Sequence, residues 1–413
     1  MRAALAGVVL AGGLGLSVRL DRSSVTPGQP GERLAIVRLA GGGFSGYALG
    51  AAGRVWAWGD GIEGQLGDDL QGVFSSVPSP VRRLSGAVAL AASANSAYAL
   101  QRDGSVWSWG DDAAGELGDG QQGVVRALPV RVEGLRGVVA LAGGSFSAYA
   151  LGRDGRVWAW GDNAFGQLGQ PLRVAGSSLP REVAGIEDVL QLSAGSSAAY
   201  ALGRDGKVWA WGDNAFGELA RPRRLVVSTA PEPVIGLGRT TALAAGSYSV
   251  FALESNGTVW SWGDGSAGEL GDGSCRPAGR CGAVRRPVEV RGLHKVVAVA
   301  AGGDAAYALG SGGTLWAWGA NTYGQLGNGS TAGSDLPVKV KVPGKVVAVA
   351  AGGDAAYALG SGGTLWAWGA NTYGQLGNGS TAGSDLPVKV VALRLPNAKP
   401  VGPRPGGPRS AAG

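Results

Sequence analysis

The tetrapeptide Trp-x-Trp-Gly occurs seven times along this chain of 413 residues. It begins at Trp56, Trp107, Trp158, Trp209, Trp260, Trp316 and Trp366. The second tryptophans of the motifs are Trp58, Trp109, Trp160, Trp211, Trp262, Trp318 and Trp368. Four intervals are 51 residues long, and the last two are 56 and 50. These motifs use all 14 tryptophans of the chain. A sustained period of this length marks a repeat architecture, in which one supersecondary unit packs against copies of itself.

Residues 138–169 show the unit plainly. A short apolar run, 138–142, is followed by Tyr149 and Leu151, two apart and so on one face of a strand. Asp154-Gly155 then supplies a tight-turn signal. Trp158 and Trp160 share one face of the next strand, and a glycine-rich loop follows. A Pro-led run such as 128–132 of the preceding unit supplies a fourth segment. No stretch carries a useful 3.6-residue period, and 77 glycines disfavour long helices. Four short strands repeated seven times read as an all-β, seven-bladed β-propeller built from repeats of about 51 residues. The tryptophan pairs are expected to glue neighbouring sheets together.

The unit resembles the repeat of the regulator of chromosome condensation family. The matching residues are Ala142-Gly143-Gly144, Ala150-Leu151, Asp154-Gly155, Trp-x-Trp-Gly, and Gly166 to Gly169 (Gly-Gln-Leu-Gly). The resemblance covers about residues 34–390 and implies a seven-bladed propeller. Family members often have a His shortly before Ala-Leu, whereas this chain has Ser147, Ala198 or Ala305. The domain reading is an N-terminal segment 1–33 (a short secretory signal or a closing strand), a propeller 34–390, and a last strand with a disordered basic Pro/Gly tail at 391–413. Residues 296–340 and 346–390 are identical, so the last two units are copies. In the fourth unit Gly217-Glu218-Leu219-Ala220 replaces Gly-Gln-Leu-Gly, and the fifth unit holds a six-residue excess.

Scarce residues limit the chemistry. The single His, His294, excludes a multi-His metal site within the chain, and two Cys exclude a four-Cys site. Gly41-Gly42-Gly43-Phe44-Ser45-Gly46 fits a dinucleotide-binding pattern in spacing but lies between strands rather than before a helix. Asp60, Asp111, Asp162, Asp213 and Asp264 recur once per unit, which reads as turn capping rather than catalysis. No catalytic, cofactor or metal residue emerges, and the chain reads as a non-enzyme. Residues 34–390 hold equal numbers of acids and bases, so nucleic acid is not the expected partner. No uninterrupted apolar stretch is long enough to span a membrane.

Two local features remain. Cys275 and Cys281 enclose five residues and form a disulfide if the protein is exported, or free thiols in a reducing cytosol. Arg221, Arg223 and Arg224 lie in the loop of the fourth unit, and Arg276, Arg280, Arg285 and Arg286 in that of the fifth. They read either as a patch for an acidic protein partner or as solvated loop charges. The expected role is a monomeric protein-interaction scaffold that uses loops on one propeller face. The resemblance also implies two alternatives: guanine-nucleotide exchange on a small GTPase, or, for a secreted protein, inhibition of an enzyme such as a β-lactamase. The compartment, cytoplasmic or secreted, is left open.

Overall fold

A computed structural model describes residues 36–222, 224–275 and 281–393. The described residues form seven four-stranded antiparallel sheets, each a simple meander of consecutive strands. In the first, the strands are Ile36–Gly41, Ser45–Gly50, Val55–Gly59 and Ser75–Pro80. Each later blade repeats this order, with the Trp-x-Trp-Gly motif always on the third strand. The chain is therefore all-β with seven blades, as the period requires.

First strands of successive blades pack against one another around the centre, and the first strand of blade one packs against that of blade seven. The ring is closed there by Gly353 N–H, which donates to the carbonyls of Gly42 (3.1 Å) and Gly43 (3.0 Å). No blade borrows a strand from the other terminus, so each sheet is one continuous stretch of chain among the described residues. The two identical stretches form blades six and seven. The signal-like and tail segments of the sequence lie outside the described residues.

The tryptophans divide into two roles. The second of each pair is fully buried, whereas the first is half-buried everywhere except Trp56. The buried indole reaches into the preceding blade and donates its Nε1–H to one backbone carbonyl there. Trp109 reaches Gln65 (2.9 Å), Trp160 reaches Glu116 (2.7 Å), Trp211 reaches Gln167 (2.9 Å) and Trp262 reaches Glu218 (2.7 Å). Trp318 reaches Glu269 (2.6 Å), Trp368 reaches Gln325 (2.8 Å), and Trp58 reaches Gln375 (2.9 Å) across the closure. Five of these carbonyls also accept a tyrosine hydroxyl from their own blade, as Tyr98 does with Glu116 at 2.9 Å. The ring of that tyrosine, or of Phe251 in blade five, meets the incoming indole edge-on at 5.7–6.5 Å.

This staple explains the Gly-Gln-Leu-Gly loop. The loop between third and fourth strands dips into the gap between blades, its second residue offers the carbonyl, and its leucine is buried. The closing glycine sits against the indole with φ near +65°, and a Cβ at Gly67 would lie 2.9 Å from Trp109 Nε1. Ala220 holds the corresponding left-handed position at φ +53° in blade four. The Gly of Trp-x-Trp-Gly is likewise left-handed, at φ +99° to +111°, where the third strand shifts register against the fourth.

Two outcomes follow. Trp160→Phe removes a buried donor but leaves the Glu116 carbonyl its tyrosine bond, and should cost about 1–2 kcal/mol in urea unfolding. Trp160→Ala should cost about 3–5 kcal/mol. Ala220→Gly should gain about 0.5–1 kcal/mol by relieving a left-handed alanine. An unchanged midpoint in both variants would contradict the staple.

Candidate functional site

An antiparallel meander puts its odd-numbered connections at one end and its even-numbered ones at the other. Here the first-to-second turns and the third-to-fourth loops share the front of the ring. The second-to-third turns and the blade-to-blade connectors share the back.

The front collects aromatic side chains. The chain has six Phe and nine Tyr. Seven are the buried staple partners Tyr47, Tyr98, Tyr149, Tyr200, Phe251, Tyr307 and Tyr357. The other eight all lie at the front. Seven of them (Phe44, Phe74, Phe146, Phe165, Phe216, Tyr248 and Tyr323) are 37–55% exposed. The eighth, Tyr373, is half-buried. Two pairs bridge blades, Phe44 with Tyr373 at 5.5 Å and Phe216 with Tyr248 at 5.0 Å. None lies at the back. Exposed aromatics gathered on one face are the usual mark of an interaction surface. The sequence contained the signal, since these positions fall in the two front connections, but each residue alone reads as an ordinary loop position.

The recurring loop acids are turn caps. Asp60, Asp111, Asp162, Asp213 and Asp264 each accept the backbone N–H two residues on, at 3.0–3.1 Å. Between blades six and seven a pocket of about 390 Å³ is lined by hydroxyls and amides, with Tyr323 and Asp385 on its wall. This arrangement suits hydrogen bonding to a partner. His294 is exposed on a back connector, away from the front carboxylates. Among the described residues no cluster of His, Cys, Asp and Glu could hold a metal ion.

The arginines named from the sequence separate. Arg221 donates to Glu232 (3.1 Å) and to the Pro233 carbonyl (2.9 Å), within its own blade. Arg285 bolts blade five to blade four through the carbonyls of Asn214 (2.8 Å) and Ala215 (2.6 Å). Arg224 and Arg286 are exposed. Arg223, Arg276 and Arg280 lie outside the described residues. Cys275 and Cys281 are joined as a disulfide, with their Cα atoms 4.7 Å apart.

Sequence reasoning missed a set of buried acids in the staple loops. Where four blades have Gln, blades two, four and five have Glu116, Glu218 and Glu269. Their carboxyls cap the loop as Gln does, accepting the N–H of Ala114, Phe216 and Ala267 at 2.7–2.8 Å. Burial, with nearby aspartates adding to it, raises Glu116 to about 8, and Glu218 and Glu269 to about 7. Asp112 stands where blades three, four, six and seven have Asn, and burial raises it to about 6. At the channel mouth, burial followed by neighbouring aspartates raises Asp304 and Asp354 as well. Folded-state values above the unfolded ones mean that the neutral forms stabilise the fold. That contribution is complete below the unfolded carboxylate range and is lost as pH rises through about 6 to 8. Asp112→Asn with Glu116→Gln should therefore leave stability at pH 3 nearly unchanged and raise it at pH 9, flattening the profile in thermal melts. A variant profile parallel to the parent would contradict this.

Comparison with known proteins agrees with the geometry. The family model for the RCC1-like domain matches residues 133–403, and that for the regulator of chromosome condensation (RCC1) repeat matches 52–100 and 103–151. The human E3 ubiquitin-protein ligase HERC2 is 33% identical over 72% of this chain, which spans only 6% of that protein's length. The guanine nucleotide exchange factor SRM1 of Saccharomyces cerevisiae is 26% identical, over 75% of this chain and 74% of its own. Among solved structures, Prp20p of S. cerevisiae, described with its binding to Gsp1p and histones, superposes with a TM-score of 0.67. It is 25% identical, and the match covers 77% of this chain and 80% of Prp20p. The staple, the meander blades and the matched residues together place this chain in the RCC1 repeat family, as an RCC1-like domain.

Proposed function

We propose that this chain is a protein-interaction platform without catalysis of its own, and that its front face receives the partner. The observation that carries this reading is the sorting of Phe and Tyr: eight unburied rings lie at the front and none at the back. Rigid aromatic rings supply large contact area at low entropic cost and dominate interface energetics. Five of them sit on the stapled loops and Phe44, Phe146 and Tyr248 on tight first-to-second turns, so the surface is preorganised. Exposed Arg224 and Arg286 give one sector of the ring a contact for an acidic group on the partner, which is what remains here of the arginine patch read from the sequence. Relatives named as an exchange factor and a ubiquitin ligase, and a structural neighbour that binds Gsp1p and histones, support a binding role in general. A second reading, nucleotide exchange on a small GTPase, draws support from the match to SRM1 over most of both chains.

The test uses the full chain with Phe146→Ser and Phe165→Ser, two exposed rings that support no staple. Partners are captured by cross-linking in the native host and their affinity is then measured. The front variant should lose at least about tenfold in affinity with an unchanged melting temperature. Arg153→Glu with Arg204→Glu on the back should leave that partner's binding intact. Retained binding in the front variant would overturn the reading. Accelerated nucleotide release from a panel of small GTPases would establish exchange instead.

A further inference from the structure

Residues 34–390 are neutral by sequence, yet the two faces of the ring are not. Second-to-third turns and blade-to-blade connectors at the back carry 14 Arg and Lys against six Asp and Glu, and every one of these side chains is exposed. Turns and loops at the front carry 14 acids, five of them buried, against Arg173, Arg221 and Arg224 among the described residues. The unburied front acids lie in blades one, two, five, six and seven, while blades three and four carry Arg173, Arg221 and Arg224 there; the bases of the back lie in the connections of blades one to six. Arg102, Arg153 and Arg204 stand at one turn position of successive blades, and Asp304 and Asp354 at another on the opposite face.

We propose that copies of this chain stack front to back along the ring axis, the acidic aromatic front of one copy seated on the basic back of the next. A partner of a single charge would account for one face only, whereas a second copy accounts for both. Front-to-front and back-to-back pairs set like charges against each other, which costs several kcal/mol and selects the polar arrangement. The front rings add to the fit, since Arg and Lys pack on the faces of Phe and Tyr. The described chain enters at Ile36 and leaves at residue 393, both at the back. By sequence, residues 394–413 hold four bases and no acid. A front-to-back contact does not close on itself, so the assembly grows with concentration instead of stopping at a dimer. Exposed charges are screened beyond about 10 Å at 0.1 M salt, so the stack is salt-sensitive.

Sedimentation velocity of the full chain, at about 20 mM and about 500 mM salt, reads this directly. The expected result is a weight-average mass that rises with concentration past twice 41.2 kDa at low salt and returns to monomer at high salt. Arg102→Glu, Arg153→Glu and Arg204→Glu together, or Glu63→Lys, Asp304→Lys and Asp354→Lys together, should each abolish growth with melting temperature unchanged. Monomer under all conditions, a mass that saturates at a dimer, or growth that survives either set of substitutions would overturn the proposal. So would a monomeric protein whose back face instead takes up a short duplex DNA. None of these outcomes bears on whether a partner docks at the front, which the Phe146 and Phe165 variant reads separately.

Discussion

One hydrogen bond, made seven times, holds the ring together: an indole N–H from one blade to a backbone carbonyl in the loop of the blade before it. A buried carbonyl left without a donor would cost about 1–3 kcal/mol, so the indole and the loop must arrive together. A tyrosine of the same blade shares most of these acceptors and lays its ring against the indole. Hydrogen bond, edge-on contact and apolar burial thus meet at one point. The donor and acceptor lie 44 residues apart in four of the six junctions within the chain. Across the enlarged loop of blade five the separation is 49, with the bond still formed at 2.6 Å. The extra residues leave the staple untouched, and Cys275 and Cys281 of that loop are joined as a disulfide.

Every blade makes the same indole-to-carbonyl bond, and most of the variation falls in the connections. That is why the two faces differ so much in chemistry while the strands differ so little. The front connections hold all the unburied Phe and Tyr, and most of the acids at the ring's mouth. The back connections include tight Arg-Asp-Gly turns in blades two, three and four, and most of the blade-to-blade links are basic. The departures within the staple loops, Glu for Gln and Asp for Asn, put carboxyls where amides serve elsewhere. There burial makes the neutral form the stable one, and part of the fold's stability becomes dependent on pH.

The blade count was legible because tryptophan marked one strand in every unit. The role of Gly-Gln-Leu-Gly was not. Nothing in the local sequence says that the second residue's carbonyl, rather than its side chain, is the group that matters. The arginine cluster was misleading in a similar way. Equivalent loops in neighbouring units drew Arg221 and Arg285 into one group, whereas the structure ties Arg221 to Glu232 in its own blade and uses Arg285, on the fourth strand Val284–Glu289, to hold two blades together. The eight front rings are scattered from residue 44 to residue 373, with no local motif to connect them.

From the order of residues alone came the all-β class, seven units, turn capping by the recurring aspartates, and a body with no net charge. These depend on period, on local turn chemistry and on counting, none of which needs a partner from far along the chain. Only the closed ring decided which connections share a face. It thereby separated charges that cancel in the sum, and it brought together rings that the sequence keeps hundreds of residues apart. The reason is geometric: in an antiparallel meander alternate connections go to opposite ends, and seven stapled copies repeat that sorting around one axis.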